Sequence, residues 1–286
     1  MPSLIDIRRR IRSVKNTQQI TKAMKMVSAA KLRRAQDRVV AARPYAAMLR
    51  QTLSNVIAAA ADSEESANSP LLANRPENRI LLLLLTSDRG LAGAFNGNLI
   101  KAAQRFLEEH PNATIEMETL GRKGRDFFRR RNAKITGEYL DLYSKPTYDR
   151  IAPIAKNVVQ RMQDDEIDAV YLVYNEFKSV MSQKLTVTRI LPVAPPEGGE
   201  RIEYIFEQTP EQLLASMLPR YVEIQVFSAV LESAAAEHAA RMTAMDAASS
   251  NAADVIESLT LFMNRVRQAS ITREIIEVVS GASALE

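Results

Sequence analysis

Cysteine and tryptophan are absent from the 286 residues, and histidine occurs only twice. Without a thiol there is no disulfide, no thiolate nucleophile and no redox switch, which is compatible with a reducing compartment. His110 and His238 have no second His and no Cys at metal-ligand spacing, so no metal site is expected. No apolar stretch approaches the roughly 20 residues of a membrane span. The one concentrated run, Ile80 to Leu85, reads instead as a buried strand. Ser3 to Lys15 is charged throughout and lacks an apolar run of about 7 to 15 residues, so no signal peptide is expected. Catalytic signatures are missing too: there is no GxSxG elbow, no GxxxxGK(S/T) loop and no three-glycine dinucleotide motif. The acid pairs Glu64 with Glu65 and Asp164 with Asp165 fall in loop or helix-end contexts, where solvation explains them better than acid–base chemistry. Neither a catalytic residue nor a cofactor is expected.

A further absence is structural. From Arg220 to Ser280 there is no Gly and no Pro. Positions spaced alternately three and four apart stay mostly apolar or small: Tyr221, Ile224, Ser228, Leu231, Ala235, His238, Met242, Met245, Ser249, Ala252, Ile256, Leu259, Met263 and Val266. A helix over this stretch would be roughly 90 Å long at about 1.5 Å of rise per residue, and its seam requires a partner helix. The N-terminal segment repeats the spacing at Leu32, Ala35, Val39, Ala42, Ala46, Leu49, Leu53 and Val56, after Leu4, Ile7, Ile11 and Val14. Met24, Met26, Met242, Met245 and Met263 are expected to fill the seam. Pairing of the two ends predicts an antiparallel coiled coil, with a kink or short break near Val40 to Pro44 because proline removes a backbone donor.

Charge favours the same pairing. Residues 1–50 carry 13 Lys and Arg against 2 acids, a local +11; since the whole chain carries +4, the other 236 residues carry −7. Residues 210–286 hold 5 Arg, no Lys and 10 acids. Opposite flanking charges select partner and orientation, although each exposed pair is worth only about 0–1 kcal/mol. A basic N-terminal helix is also a nucleic-acid signature, but only one aromatic, Tyr45, lies in residues 1–50 to stack on bases. A coiled-coil adaptor that holds nucleic acid is therefore a second reading, and a nucleotide-using enzyme a third.

Between the helices the pattern changes. Ala58 to Glu77 reads as a linker, and strand-like runs follow at Ile80–Thr86, Thr114–Leu120, Ala169–Tyr174 and Leu185–Leu191. Helix-like stretches alternate with them at Leu99–Glu109, Lys123–Arg131 and Ile151–Asp165. This alternation predicts an open, mostly parallel α/β (Rossmann-like) sheet. The expected division is 1–60 for the N-terminal coiled-coil helix, 78–192 for the central α/β domain and 209–286 for the C-terminal coiled-coil helix, which begins near Thr209 or Pro210. Thr86 to Gly93, TSDRGLAG, follows the first strand and reads either as a phosphate-binding turn or as a glycine turn for close helix packing. Gly121 to Gly124 reads as a turn with a basic rim.

Three separated runs then carry a resemblance. Ile7 to Gln36 (IRRRIRSVKNTQQITKAMKMVSAAKLRRAQ), Ala239 to Ala248 (AARMTAMDAA) with Asn264 to Gly281 (NRVRQASITREIIEVVSG), and the central TSDRGLAGAFN are similar to the gamma subunit of F-type ATP synthases. Length and the lack of a cysteine-containing insert are similar to the bacterial form. The resemblance implies a non-catalytic rotor subunit with three alpha and three beta subunits, epsilon and the membrane c ring as partners. It also implies a peripheral place on the cytoplasmic side of the cell inner membrane, with membrane contact only through partners. It implies partner-binding roles for Met24, Arg241, Arg267 and Gln268, an apolar tip of Ile271, Ile275, Ile276, Val278 and Val279 held in a collar, and a foot at Arg201 to Glu207 on the c ring.

Overall fold

Long helical periodicity at both ends gives long helices, and the leucine-rich run between them gives the centre of a sheet. The computed structural model describes residues 3–60, 69–73, 75–194 and 208–283, without the side chains of 281–283. In chain order the elements are α1 (Leu4–Ala59), β1 (Arg79–Leu85), α2 (Phe95–Glu109), β2 (Thr114–Leu120), α3 (Arg122–Arg129), β3 (Ile135–Tyr139), α4 (Tyr148–Gln163), β4 (Ala169–Phe177), β5 (Gln183–Leu191) and α5 (Pro210–Ser283). Residues divide into two compact units, 1–28 with 241–286, and 29–240.

In the larger unit the five strands take the order β3-β2-β1-β4-β5. All neighbours are parallel except β4 and β5, which form an antiparallel hairpin. Ile80 to Leu85 are fully buried, as a continuous apolar run must be when the strand lies at the centre of a parallel sheet. α4 turns Ile151, Ile154, Ala155, Val158 and Met162 inward at helical spacing. Pro210 starts α5, where a missing N–H costs nothing. From Val222 to Ala239 α5 is buried on most of its circumference, and Val222, Val226 and Val230 share one core with β1 and β4. Polar ties fix its rotation. The buried Tyr143 hydroxyl lies 2.9 Å from Ser233 Oγ, and the Tyr148 hydroxyl donates to the Glu223 carboxylate. Glu232 accepts from the Phe177 N–H at 2.8 Å and from Arg43 of α1 at 3.1 Å, joining sheet and helices.

α1 runs unbroken through Pro44, so the expected break is not there. The carbonyl that Pro44 leaves without a donor belongs to Val40, which is exposed, so water can serve it while Ala42, Ala46 and Leu49 keep the opposite face packed. β3 was not anticipated. It is a five-residue edge strand interrupted by Gly137, where a Cβ would come within 2.9 Å of the Glu118 side chain.

The smaller unit is a helix pair. Gln18 Nε2 reaches the Ser249 carbonyl at 3.3 Å, and Lys25 Nζ reaches Asp246 Oδ1 at 2.5 Å. Partners fall on α5 as they rise on α1, so the helices are antiparallel, as expected. Within this unit Ile7, Met245 and Ala252 are buried, and Met242, Ile256, Leu259 and Met263 half-buried. Met26 departs from expectation and points to solvent, because two residues beyond Met24 the helix has turned by about 200°.

Glu118 is an unusual feature of the sheet. Only 2 % exposed, it has one carboxylate oxygen without a hydrogen-bond partner, and Arg161 lies 3.7 Å from the other. Burial raises its carboxyl above the ordinary value, while Arg161 and Tyr139 oppose the shift. A carboxyl with a raised folded-state value contributes stability below the unfolded value and loses it as pH climbs through the folded value. Glu118→Gln is therefore expected to melt at or above the wild-type temperature at pH 7, with the difference vanishing below about pH 4.5. Thermal melts across that range check this; a lower melting temperature for the variant at pH 7 would contradict it.

Candidate functional site

The helix pair ends before α5 does. Partners Gln18 with Ser249 and Lys25 with Asp246 have residue numbers that sum to about 270, so Leu4, where α1 begins, stands opposite the region of Arg265. Every residue from Ile271 to Ser280 is exposed. Ile271, Ile275, Val278 and Val279 recur at intervals of four, three and one, which puts them on one face of the helix, and Val278 is 72 % exposed. A contiguous apolar face left in water marks an interaction surface, since covering each such side chain is worth roughly 1.5–3 kcal/mol.

The other candidate residues sit differently. Arg267 and Gln268 are exposed on the root of this extension, and neither side chain pairs with a described residue. Gln268 is held only through its carbonyl, which accepts from Thr272 Oγ1 at 3.0 Å. Met24 is half-buried on α1, one residue before the exposed pair Lys25–Asp246. Arg241, by contrast, is 9 % exposed and is engaged by its own chain. The foot at Arg201 to Glu207 lies outside the described residues. Sequence reasoning missed the polar contact of Gln18 and Thr21 with Ser249, since none of these residue types announces a cross-helix hydrogen bond.

The turn after β1 is filled by its own chain. Asp88 Oδ1 accepts from the Arg122 N–H and Oδ2 from the Asp141 N–H, each at 3.0 Å. Asn96 Oδ1 accepts from the Ser87 N–H at 2.9 Å, and Thr86 Oγ1 accepts from the Gly124 N–H at 2.9 Å. The backbone donors that a phosphate would need at the start of α3 are thus spent on a carboxylate and a hydroxyl. Close packing is served by glycine in the adjoining turn after β2, where a Cβ on Gly121, whose φ is +110°, would lie 2.0 Å from the Thr86 carbonyl oxygen; at Gly90, in the turn after β1, a Cβ would meet only the Lys123 side chain at 3.8 Å. Nearby Tyr143 has its hydroxyl proton held far more tightly than usual by burial, so it is no general base. Among the described residues there is no group of three metal-ligating side chains, and no helix is long and apolar enough to cross a membrane.

The sequence profile of the ATP synthase family matches residues 3–285. The ATP synthase gamma chain of Solibacter usitatus (strain Ellin6076) is 64% identical over 286 residues, covering 100% of both chains. That of Anaeromyxobacter sp. (strain Fw109-5) is 50% identical over the full length of both. Among solved structures, a chain of the Tetrahymena thermophila mitochondrial ATP synthase central stalk and c ring superposes with a TM-score of 0.62 at 27% identity, covering 80% of this chain and 99% of that one. A chain of the Euglena gracilis mitochondrial ATP synthase shares the fold at a TM-score of 0.68 and 19% identity, covering 99% and 94%.

Gly121→Ala tests the packing of the turn after β2 against Thr86. The positive φ alone costs of order 1–3 kcal/mol for a non-glycine residue, and the clash with the Thr86 carbonyl adds to it. The variant is expected to lose at least about 2 kcal/mol in denaturant unfolding. Wild-type stability would show that the turn has room to spare.

Proposed function

The chain belongs to the ATP synthase gamma chain family, and from that premise we propose that it is the central rotor shaft of a proton-translocating F-type ATP synthase. The exposed apolar extension Ile271 to Val279 carries this reading, because a helix end that outruns its partner needs a socket in another molecule. In the proposed assembly three alpha and three beta subunits surround the helix pair of residues 1–28 and 241–286. The sheet domain, 78–192, rests beside epsilon on the membrane c ring. The protein contributes no catalytic group; ATP is made or hydrolysed in the beta subunits. Its location is peripheral, on the cytoplasmic side of the inner membrane.

The mechanism follows from asymmetry. One helix pair cannot present the same face to three identical partners, so each partner meets a different surface and settles in a different state. Turning the shaft exchanges those surfaces. Only contacts that differ between partner states transmit work, and these are polar or bulky features on particular faces. Arg267 and Gln268, exposed and with no side-chain partner among the described residues, supply directional hydrogen bonds. Met24 supplies a soft apolar contact on the α1 side, and Arg241 a charge already braced by its own chain. The extension acts as a bearing: apolar contact has no preferred direction, so rotation inside a collar breaks no hydrogen-bond register.

Co-expression with alpha and beta subunits tests the assignment. ATP hydrolysis is expected only when all three are present, and equal activity from alpha and beta alone would reject it. Arg267→Ala with Gln268→Ala is expected to lower turnover of the reconstituted complex about tenfold, the equivalent of one charge-assisted hydrogen bond. Met24→Lys is expected to leave assembly intact while ATP-driven proton pumping falls relative to hydrolysis. Wild-type turnover and pumping in these variants would remove the roles given to these residues.

A further inference from the structure

A concavity in the larger unit has no part in the rotor mechanism. α1, β4 and α5 enclose a cleft of 290 Å³. Ala42, Ala46 and Ala229 line it, side chains too short to close the space between two helices and a strand. One end is shut by a bridge. Arg43 donates to the Glu232 carboxylate at 3.1 Å and to the Phe177 carbonyl at 2.8 Å, and Glu232 accepts in turn from the Phe177 N–H at 2.8 Å.

Beyond that bridge the polar groups of the lining are unspent. Arg50, Tyr174, Gln225 and Ser228 come from all three elements, and none of their side chains hydrogen-bonds to a described residue. Burial, reinforced by the charges of Glu232 and Glu176 and opposed by Arg50, pushes the Tyr174 hydroxyl up to about 12. It therefore keeps its proton at neutral pH and acts as a donor. Arg50 is a permanent cation, and Gln225 and Ser228 add an amide and a hydroxyl donor. The neighbouring acids do not use these groups: Glu232 is bonded to Arg43 and Phe177, and Glu176 to Lys178.

We propose that this cleft binds a carboxylate, with Arg50 and Tyr174 as its principal contacts and Gln225 and Ser228 as neutral donors beside them. A carboxylate is an acceptor on both oxygens, which matches one cation surrounded by neutral donors. A more highly charged phosphate is disfavoured, because Glu176 and Glu232 stand in the same walls. Ligand pockets usually measure roughly 300–1,000 Å³, so this one takes a small occupant, either a free organic carboxylate or one Asp or Glu side chain of a neighbouring protein. One charge-assisted hydrogen bond with roughly two or three neutral ones gives a dissociation constant on the order of 1 mM. The site does not depend on the rotor reading.

Glutarate is the probe, titrated into the full-length chain carrying carbon-13-labelled tyrosine, with ionic strength held constant by sodium chloride. The Tyr174 resonance, identified by its loss in Tyr174→Phe, is expected to move with half-saturation at about 1 mM, and the neutral analogue glutaramide to leave it in place. Arg50→Gln should weaken binding about tenfold, and Ala46→Leu should fill the cleft and block it. Lys101→Gln removes an exposed cation of α2 outside the cleft and should change nothing. No movement up to about 50 mM glutarate, or equal weakening by Arg50→Gln and Lys101→Gln, would overturn the site. Because the chain has no cysteine, Ala47→Cys places a single thiol in the cleft wall, and its alkylation by iodoacetamide can be followed by mass spectrometry after assembly with alpha and beta subunits. Slowing by glutarate identifies a free carboxylate as the occupant. Slow alkylation without glutarate, made fast by Arg50→Gln, identifies an acidic side chain of a neighbour. Fast alkylation indifferent to glutarate, or slow alkylation indifferent to Arg50→Gln, would overturn the proposal and leave the rotor assignment standing.

Discussion

Apolar burial along a heptad seam is the constraint on which the rest depends. In the unit of residues 1–28 and 241–286 there is nothing else to pack against: two helices must satisfy each other or stay in water. The seam is thin, with Ile7, Met245 and Ala252 buried and most of its other members only half covered. A thin seam leaves much of each helix surface free, which suits a pair whose outer faces are meant for neighbours. Exposed Ile20, Val27, Leu261 and Phe262 fit that description.

In the larger unit the same α5 residues that would form one stripe of a coiled coil are enclosed by sheet and helix together. Glu232, bonded both to Arg43 and to the backbone of Phe177, ties α1, α5 and β4 into one grip. The sheet has the strand order and turn placement of a ligand-binding α/β fold, yet its C-terminal edge is filled with its own side chains. Asp88 takes the Arg122 N–H at the start of α3 and the Asp141 N–H beyond β3, and Tyr143 is sealed against Ser233. Donors spent on these internal bonds are not free for a ligand phosphate. Torque applied to such a domain reaches α5 through these buried contacts.

Much of this was legible in the residues themselves. All fourteen α5 seam positions are buried or half-buried, because heptad spacing is a property of the sequence and helix geometry converts it into one face. The central parallel strand was legible for the same reason: six consecutive apolar residues have few other places to go. The apolar extension could be read by comparing the lengths of two patterns. What escaped depends on three-dimensional partners. β3 is short, lies at an edge and contains Gly137, whose reason is the Glu118 side chain across the strand. Pro44 is tolerated because the carbonyl it strands faces water, which spacing does not reveal. The bonding of Thr21 to Ser249 links residues 228 apart in sequence, and both look unremarkable alone.

The central claim is that the apolar face of α5 beyond Arg267 has no partner among the described residues and, in the proposed assembly, enters a socket in another molecule. Amide hydrogen exchange measures this directly, in the isolated chain and after assembly with alpha and beta subunits. The account predicts rapid exchange from Ile271 to Ser280 alone and slowing of about a hundredfold in the assembly, while Val222 to Ala239 is protected in both. Strong protection of the extension in the isolated chain, or no change on assembly, would contradict it.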